Sequence, residues 1–276
     1  MIDPLAIALP AYLLMMSVEM IAGRIRRRQV YEIRDTAASL IMGAGAVLAS
    51  TLCTTAMLLA ALELAYHWHI ASIPVGAAGL LAGLLLSDLA YYWSHRFSHE
   101  CRWFWASHVV HHSSGHYNFS TALRSPWTDL ISMGFLFWVP MAWIGFPPEQ
   151  VLLSRAVVVV YQFWFHTELI GRLGVLEHIL VTPRHHRVHH ARNHEYLDRN
   201  YGAVLIIWDK MFGTFAEERP GEPVRYGLVK PIATFNPLRI ALDEWIDLLA
   251  GLRRCRSLIA AFRFAFSRPG SEIADD

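Results

Sequence analysis

Histidines are the residues of this chain whose number and spacing most clearly indicate chemistry. Of the 15 histidines, 13 lie between residues 95 and 194, and most of these fall in three short clusters. The clusters read HRFSH, HVVHH and HHRVHH, so an HxxHH spacing occurs twice. Histidines three or four positions apart lie on one face of a helix. Each cluster therefore presents two or three imidazole rings in the same direction.

These rings predict a metal site. Neutral imidazole is the commonest metal-binding side chain and suits zinc, copper, iron and nickel. A single HxxxH pair is compatible with a purely structural role, but three clusters favour metal ligands. Eight ligands exceed the four of a tetrahedral zinc ion and suit two metal ions, each with an open position. The eight are His95, His99, His108, His111, His112, His186, His189 and His190.

The other histidines carry weaker predictions. His166 lies at the end of an apolar stretch. It is either a ninth ligand or a histidine whose only role is to hydrogen-bond at a helix end. His185 precedes the HRVHH run and points away from its common face. His67 and His69 lie in a separate turn and are expected to be structural.

The elements that position the clusters are predicted to be membrane helices. The chain has 276 residues, 54% of them hydrophobic, and its mean hydropathy is +0.31, which is apolar for a soluble enzyme. The net charge of +1 says little about partners. Long apolar stretches occupy residues 4–23, 36–66, 73–94, 127–146 and 149–168. We therefore predict an all-α, polytopic integral membrane protein.

Positive charges set the predicted orientation. A run of arginines follows the first apolar stretch, whereas the turns at 67–72 and 146–149 contain no lysine or arginine. Because basic loops mark the cytoplasmic side, the three clusters are predicted to form a cytoplasmic cap over the membrane helices. The membrane is the inner membrane in a bacterium or the endoplasmic reticulum in a eukaryote. Arg155 in the fifth stretch indicates that this hairpin is shallow or that Arg155 faces protein.

The predicted membrane domain spans residues 1–236, with its histidine-rich core at 85–230. Residues 237–266 are predicted to form an amphipathic helix with basic residues at Arg253, Arg254 and Arg256. This basic patch is either a solvated face or a binding site for anionic lipid head groups. The last residues, 267–276, are predicted to be a disordered tail.

Five segments of the chain resemble a known family. They read HRFSHE at 95–100, HHSSGHYNFSTALR at 111–124, QFWFHTELIGRLG at 162–174, TPRHHRVHHARN at 182–193 and NYGAVLIIWDKMFGTF at 200–215. Together they resemble the fatty acid hydroxylase and sterol desaturase superfamily, and more closely its alkylglycerol monooxygenase-like branch. One departure from the family pattern is Gly115-His116, where an acidic residue is expected after the serines.

The resemblance implies a di-iron centre held by the eight histidines above, and it suggests Glu100 as an important acidic residue. It implies an O2-dependent oxidase that hydroxylates or desaturates a fatty acyl, alkylglycerol or sterol-like lipid taken from the bilayer. No flavin, nicotinamide, iron–sulfur or haem motif is evident in the sequence, so electrons are expected from an external donor. The family branch suggests tetrahydrobiopterin, and a redox protein is the alternative. No nucleic acid partner is expected.

Glu100 directly follows His99, so on a helix the two side chains point about 100° apart. This angle disfavours binding of one metal ion by both. We instead predict that Glu100 hydrogen-bonds a ligand histidine of another cluster or an arginine that borders the site. An exposed glutamate without a role in the site is the alternative.

Two other protein classes also use clustered histidines. A zinc membrane hydrolase would carry HExxH, but Arg96 occupies the position of its general-base glutamate. A metal transporter or sensor would carry ionisable residues along its spans, whereas these histidines collect at one face. The sequence therefore favours the lipid oxidase over both alternatives.

Overall fold

The computed structural model describes residues 4–272, with side chains from residue 8 onward. Within that range the chain is helical, as predicted, and its β-structure consists of two isolated bridges. The α-helices are α1 (Pro4–Ile25), α2 (Ile33–Ala49), α3 (Thr55–His67), α4 (Ala77–Glu100), α5 (Arg102–His112), α6 (Phe119–Ala122), α7 (Asp129–Ser132), α8 (Val139–Ile144), α9 (Pro148–Tyr161), α10 (Pro183–His189), α11 (Ile207–Phe212), α12 (Pro237–Leu252) and α13 (Leu258–Phe266).

Two helical segments of the described chain are long and apolar enough to cross a membrane, Ala8–Ile25 and Ile33–His67. The second runs from α2 into α3 through a π-helical turn at Ser50–Thr54. Its apolar side chains remain largely uncovered by protein, and Leu48, Leu52 and Leu64 are each more than 60% exposed. Contiguous apolar surface of this extent is typical of a segment that contacts lipid or a partner.

Helix α4 carries the first histidine cluster at its C-terminal end and contains most of the predicted third span. It has 24 residues, which corresponds to a length of about 36 Å. Its N-terminal half lies close against α9, because a Cβ atom at Gly83 would lie only 2.9 Å from the Ser154 hydroxyl oxygen. This close approach of two helices holds the cluster-bearing helix against the hairpin.

The predicted hairpin at 127–146 and 149–168 folds into short helices. A 3-10 turn at Gly134–Trp138 separates α7 from α8. Helix α9 has 14 residues and is about 21 Å long, less than the hydrocarbon core of about 30 Å. The Arg155 guanidinium lies over the Trp138 ring, 5.1 Å from its centroid. The hairpin is therefore short, and Arg155 faces protein.

Residues 237–266 fold as two helices, α12 and α13, and not as the single predicted helix. Ser257 begins α13 by accepting a hydrogen bond from the Ala260 N–H. Gly251 allows the helices to meet, since a Cβ there would lie 2.1 Å from Phe264 Cε1. Trp245 of α12 donates a hydrogen bond to the Thr128 hydroxyl at 2.9 Å. Of the predicted tail, residues 273–276 lie outside the described range.

Candidate metal centre

Four elements carry the clustered histidines. The first cluster lies in the last turns of α4, and an extended residue, Cys101, separates it from α5, which carries the second cluster. The third cluster lies on α10 and at His190, directly after it. His166 follows a 3-10 turn at Gln162–Phe165. Seven of the nine predicted ligands are buried, and His108 and His111 are partly exposed.

The ligand nitrogens form two groups. In each group, one ring nitrogen of every histidine lies within 4.8 Å of those of the others. The first group comprises His95, His99, His108, His112 and His189, and the second comprises His111, His166, His186 and His190. All nine predicted residues are members, including His166. The side chains therefore suit two metal ions, one in each group.

Hydrogen bonds assign the protonation of four of these rings. Their Nδ1 atoms lie 2.8–3.3 Å from backbone carbonyl oxygens, which only accept, so each Nδ1 must carry a proton. The pairs are His95 with Tyr201, His111 with Arg124, His166 with Gln162 and His189 with Arg199. In a neutral ring, Nε2 then has a lone pair and no hydrogen. Those four Nε2 atoms are available to a metal ion.

The Nε2 atoms of the second group face each other at distances that suit a shared cation. His111 and His166 both donate through Nδ1, yet their Nε2 atoms are 3.3 Å apart. Two lone pairs at this distance repel unless a positive ion lies between them. His186 Nε2 lies 3.0 Å from the Nε2 atoms of His166 and His190. Ligand atoms about 2.1 Å from a metal ion and at right angles lie about 3.0 Å apart, which matches this spacing.

The first group has the same character. His108 Nε2 lies 3.1 Å from the Nε2 atoms of both His95 and His112. The Nε2 atoms of His99 and His189 are buried and have no hydrogen-bond partner among the described residues. A buried polar atom without a partner costs about 1–3 kcal/mol. A metal–nitrogen bond would remove that cost.

Burial keeps these rings neutral. Desolvation lowers the pKa of His111 to about 4, and it lowers the pKa values of His108, His186 and His190 well below the ordinary value. Neighbouring imidazoles lower the pKa values of the last three further. Neutral imidazole is the form that binds metal. Around pH 7 the centre therefore has its lone pairs ready and needs to release no proton.

A buried ion pair supports the second group. The Arg124 guanidinium is 3.0 Å from the Asp35 carboxylate, and both side chains are almost fully buried. Ser114 donates a hydrogen bond to the same carboxylate at 2.5 Å, and Arg124 Nε donates to Ser113 at 2.8 Å. The Arg124 carbonyl accepts a hydrogen bond from His111 Nδ1. Arg124 therefore connects Asp35, at the start of α2, to a histidine of the second group.

A second network supports the first group. The Tyr201 carbonyl accepts from His95, and the N–H groups of Tyr201 and Gly202 donate to the Asp209 carboxylate at 2.7 and 2.8 Å. The Thr214 hydroxyl donates to the same carboxylate at 2.7 Å. Asp209 thus fixes the loop whose carbonyl orients His95. Hydrogen bonds of this kind hold the ring tautomer and direction.

Glu100 contacts an arginine that borders the site, and its carboxylate meets no ligand histidine in residues 4–272. Its Oε1 atom is 3.1 Å from Arg96 Nε. Arg96 also donates to the Tyr92 hydroxyl at 3.3 Å, and that hydroxyl is 3.0 Å from the Thr214 hydroxyl. Thr214 donates to the Asp209 carboxylate, which fixes the Tyr201 loop that orients His95. Glu100 is therefore connected to His95 through the side chains of Arg96, Tyr92, Thr214 and Asp209.

We predict that Glu100→Gln lowers metal affinity or turnover about tenfold, the lower end of the effect of losing a group that supports a metal ligand. Glutamine keeps the shape but loses the charge that holds Arg96 in place. Metal titration and turnover of the purified variant measure the effect, with the exposed Glu149→Gln as the matched control. Wild-type metal affinity and rate in Glu100→Gln would show that the Arg96 contact is only a surface ion pair.

The remaining histidines lie outside both groups. The His185 ring packs on Phe215, with centroids 5.7 Å apart, and its Nδ1 is 3.5 Å from the Thr182 hydroxyl. His69 Nδ1 lies 2.6 Å from the Tyr66 carbonyl oxygen at the end of α3.

Spacing alone did not reveal the residues that orient the ligands, Asp35, Arg124, Tyr201 and Asp209. The last three lie in segments that carry the family resemblance, 111–124 and 200–215, so the resemblance was the available signal. The roles of Arg124 and Tyr201 depend on backbone carbonyls, which every residue has. No residue type could therefore have indicated them.

The fold and the site define a helical protein with a histidine-rich centre suited to two metal ions. Residues 80–214 match the family model described as fatty acid hydroxylase, and this part of the chain belongs to that family. The family resemblance seen in the sequence is thereby confirmed.

Curated relatives narrow the similarity further. The chain is 44% identical over 183 residues to alkylglycerol monooxygenase of Homo sapiens and 52% identical over 149 residues to that of Danio rerio. The matches cover 66% and 54% of this chain, but 40% and 32% of those relatives. An ornithine lipid hydroxylase of Rhizobium tropici is 32% identical over 154 residues, which is 55% of this chain and 46% of that protein. The chain thus spans less than half the length of these relatives. No solved structure matches the chain significantly.

Proposed function

We propose that this protein is a membrane-bound, O2-dependent di-iron oxidase that hydroxylates a C–H bond of a lipid. One observation carries the proposal: two groups of mostly buried imidazoles bring their ring nitrogens within 4.8 Å of one another inside a fatty acid hydroxylase domain. Desaturation of the lipid is the alternative outcome of the same chemistry. The zinc hydrolase alternative lacks support, because Arg96 is bound to Glu100 and Tyr92 and offers no general base.

The two irons, when bound, would reduce O2 and direct one of its oxygen atoms to an unactivated C–H bond. The chain's own contribution is to hold nine rings in fixed directions and to exclude bulk water from most of them. Carbonyl groups of Tyr201, Arg124, Gln162 and Arg199 keep a proton on Nδ1 of their partners. Those rings would therefore bind a metal ion through Nε2.

The substrate we propose is a long-chain lipid of the alkylglycerol class. The relatives with 40–52% identity are named alkylglycerol monooxygenases, whereas the ornithine lipid hydroxylase has 32% identity. A lipid would enter from the bilayer beside α4, where Leu81, Leu85 and Phe97 are exposed. The electrons come from an external donor, either tetrahydrobiopterin or a redox protein.

We further propose that the chain crosses the membrane several times, with both histidine groups on the cytoplasmic side. Single cysteines at Arg28 and Ser72, in a chain without Cys53, Cys101 and Cys255, test this topology by labelling from one side of the membrane. We expect a labelling reagent that cannot cross the membrane to reach the two positions from opposite sides, because the arginine-rich loop stays inside. Labelling of both from the same side would contradict the topology.

The function itself is tested on the purified full chain. We expect two irons per chain, O2 uptake that depends on an added reductant, and a hydroxylated alkylglycerol product detected by mass spectrometry. Zinc content with no O2 uptake, or hydrolysis of the lipid without O2, would overturn the proposed function. A desaturated product would support the di-iron oxidase but would show that its reaction is desaturation and not hydroxylation.

A further inference from the structure

Helix α13 turns an apolar face away from the rest of the protein. Because consecutive residues of a helix are rotated by about 100°, Leu258, Ile259, Phe262 and Phe266 fall within an arc of about 100°. These four side chains are between 45% and 90% exposed. The opposite face is buried, and its Phe264 packs in an apolar cluster with residues of α5 and α12. A contiguous apolar face of this kind is typical of a contact with lipid or with a partner.

Helix α12 has an exposed apolar face of its own. Leu238, Ile246 and Leu249 are exposed and lie within an arc of about 80° on this helix. Arg253, which ends the helix, falls on the same side. Both helices of the C-terminal pair therefore present apolar surface to the outside of the protein.

Three arginines lie in the turn between these two apolar faces. Arg253, Arg254 and Arg256 are all exposed. Within residues 8–272, no carboxylate comes within 4.0 Å of their guanidinium groups, unlike Arg239, which pairs with Asp243 at 2.7 Å. Exposed cations beside exposed apolar side chains suit the boundary between the phosphate head groups and the acyl chains of a bilayer.

The position of α12 along a membrane helix agrees with that boundary. Ile240 and Ala241, near the start of α12, belong to one apolar cluster with Ala38 and Met42 of α2. Met42 lies about 14 Å along the helix axis from Ile33, where the long apolar segment begins. Since the arginine-rich loop before α2 is cytoplasmic in the proposed topology, α12 contacts the cytoplasmic end of this span.

We propose that α13 and the exposed face of α12 lie in the cytoplasmic leaflet of the membrane, with Arg253, Arg254 and Arg256 bound to the phosphate groups of anionic phospholipids. The proposal rests on the proposed membrane topology. A phospholipid accounts for both observations, because its acyl chains cover the apolar side chains and its head group neutralises the arginines. A second copy of this chain, related by a two-fold axis, would instead bring the same unpaired arginines toward one another.

This anchor also supports the histidine site. The Arg102 N–H, at the start of α5, donates to the Ser267 carbonyl directly after α13 at 2.8 Å. The Trp103 ring lies 6.3 Å from the Phe266 ring and 5.1 Å from the Trp245 ring of α12. Both anchor helices thus meet the first turn of α5, which carries the second histidine cluster. They hold this cluster at the membrane surface, where a lipid substrate is found.

The depth of α13 is tested by fluorescence quenching of the full chain in nanodiscs, after removal of Cys53, Cys101 and Cys255. A fluorophore is attached to Phe262→Cys, and the phospholipids carry bromine on their acyl chains. We expect this fluorophore to lose most of its emission, whereas one at Glu195→Cys, in an exposed polar groove, keeps it. Equal emission at the two positions would overturn the proposal. A dimer cross-linked through Phe262→Cys would also overturn it and assign the face to a second copy.

The arginines are tested by binding of a fluorescent phosphatidylglycerol to the full chain in detergent. Arg253→Gln/Arg254→Gln is expected to weaken this binding at least about fivefold, the effect of one arginine near an anionic lipid surface. Arg192→Gln/Arg225→Gln removes two exposed charges elsewhere and is expected to keep the wild-type affinity. Equal affinities of the two double variants would show that the arginine turn does not bind the head group.

The anchor and the oxidase fail in different ways, because neither anchor experiment depends on iron. If the iron-loaded chain hydroxylates lipid while the fluorophore at position 262 is not quenched, only the anchor is wrong. If the fluorophore is quenched but the chain binds no iron, the anchor is supported and the proposed function is overturned. Labelling of Arg28→Cys and Ser72→Cys from the same side would overturn the topology and, with it, the cytoplasmic position of the anchor.

Discussion

His111→Ala is expected to abolish lipid oxidation and to remove iron from the purified protein. His111 is one of the four histidines of the second group, and its Nε2 faces that of His166 at 3.3 Å. Alanine removes a ligand that no neighbouring side chain replaces. Because His111 and His112 are consecutive and belong to different groups, the change is expected to disturb both ions. Elemental analysis of iron per chain and product formation under O2 measure the result.

The exposed His178 provides the control for this experiment, since it lies outside both groups. His178→Ala is expected to keep wild-type iron content and rate. His166→Ala is expected to behave like His111→Ala, because His166 completes the second group. Normal turnover in His111→Ala, or an active enzyme that holds only one zinc ion, would contradict the di-iron centre.

Asp35→Asn is expected to lower the free energy of unfolding by about 3–5 kcal/mol, the effect of leaving one member of a buried ion pair uncompensated. Arg124 is 2% exposed and reaches no solvent that could replace the carboxylate. The same change is expected to lower iron content, because the Arg124 carbonyl orients His111. Denaturant unfolding in detergent, followed by tryptophan fluorescence, measures the stability.

An exposed ion pair supplies the comparison. Lys230 and Asp247 lie 3.2 Å apart at the surface, so Asp247→Asn is expected to change the free energy of unfolding by less than about 1 kcal/mol. A double variant that replaces Asp35 with Asn and Arg124 with Gln is expected to recover part of the loss, because no unpaired charge is left buried. Equal stability of Asp35→Asn and the wild type would show that Arg124 does not depend on this carboxylate.

The amino-acid sequence by itself determined which residues are candidate ligands. Imidazole rings at three- and four-residue spacing share one helix face whatever the rest of the fold does. This local geometry is why the eight histidines were predictable, and why His185, one position from the face, was excluded. The sequence motifs shared with the fatty acid hydroxylase family could also be recognised without a structure.

The helical class of the chain could likewise be predicted, but the lengths and breaks of its helices could not. Apolar composition indicates helices without showing where they end. The hairpin at 127–168 breaks into short pieces around Gly134–Trp138, and α12 ends before Ser257. These ends depend on contacts such as that of Gly251 with Phe264, which are distant in sequence.

Only the tertiary structure decided how the ligands are divided. Consecutive residues on a helix point about 100° apart, so neighbours such as His111 with His112 and His189 with His190 serve different groups. Each group draws on more than one element, and His166 enters through the packing of its 3-10 turn against α10. The carbonyls that orient the rings come from loops as far as 106 positions away, as Tyr201 does for His95. Spacing acts within one helix, whereas these contacts depend on how the helices and loops pack together.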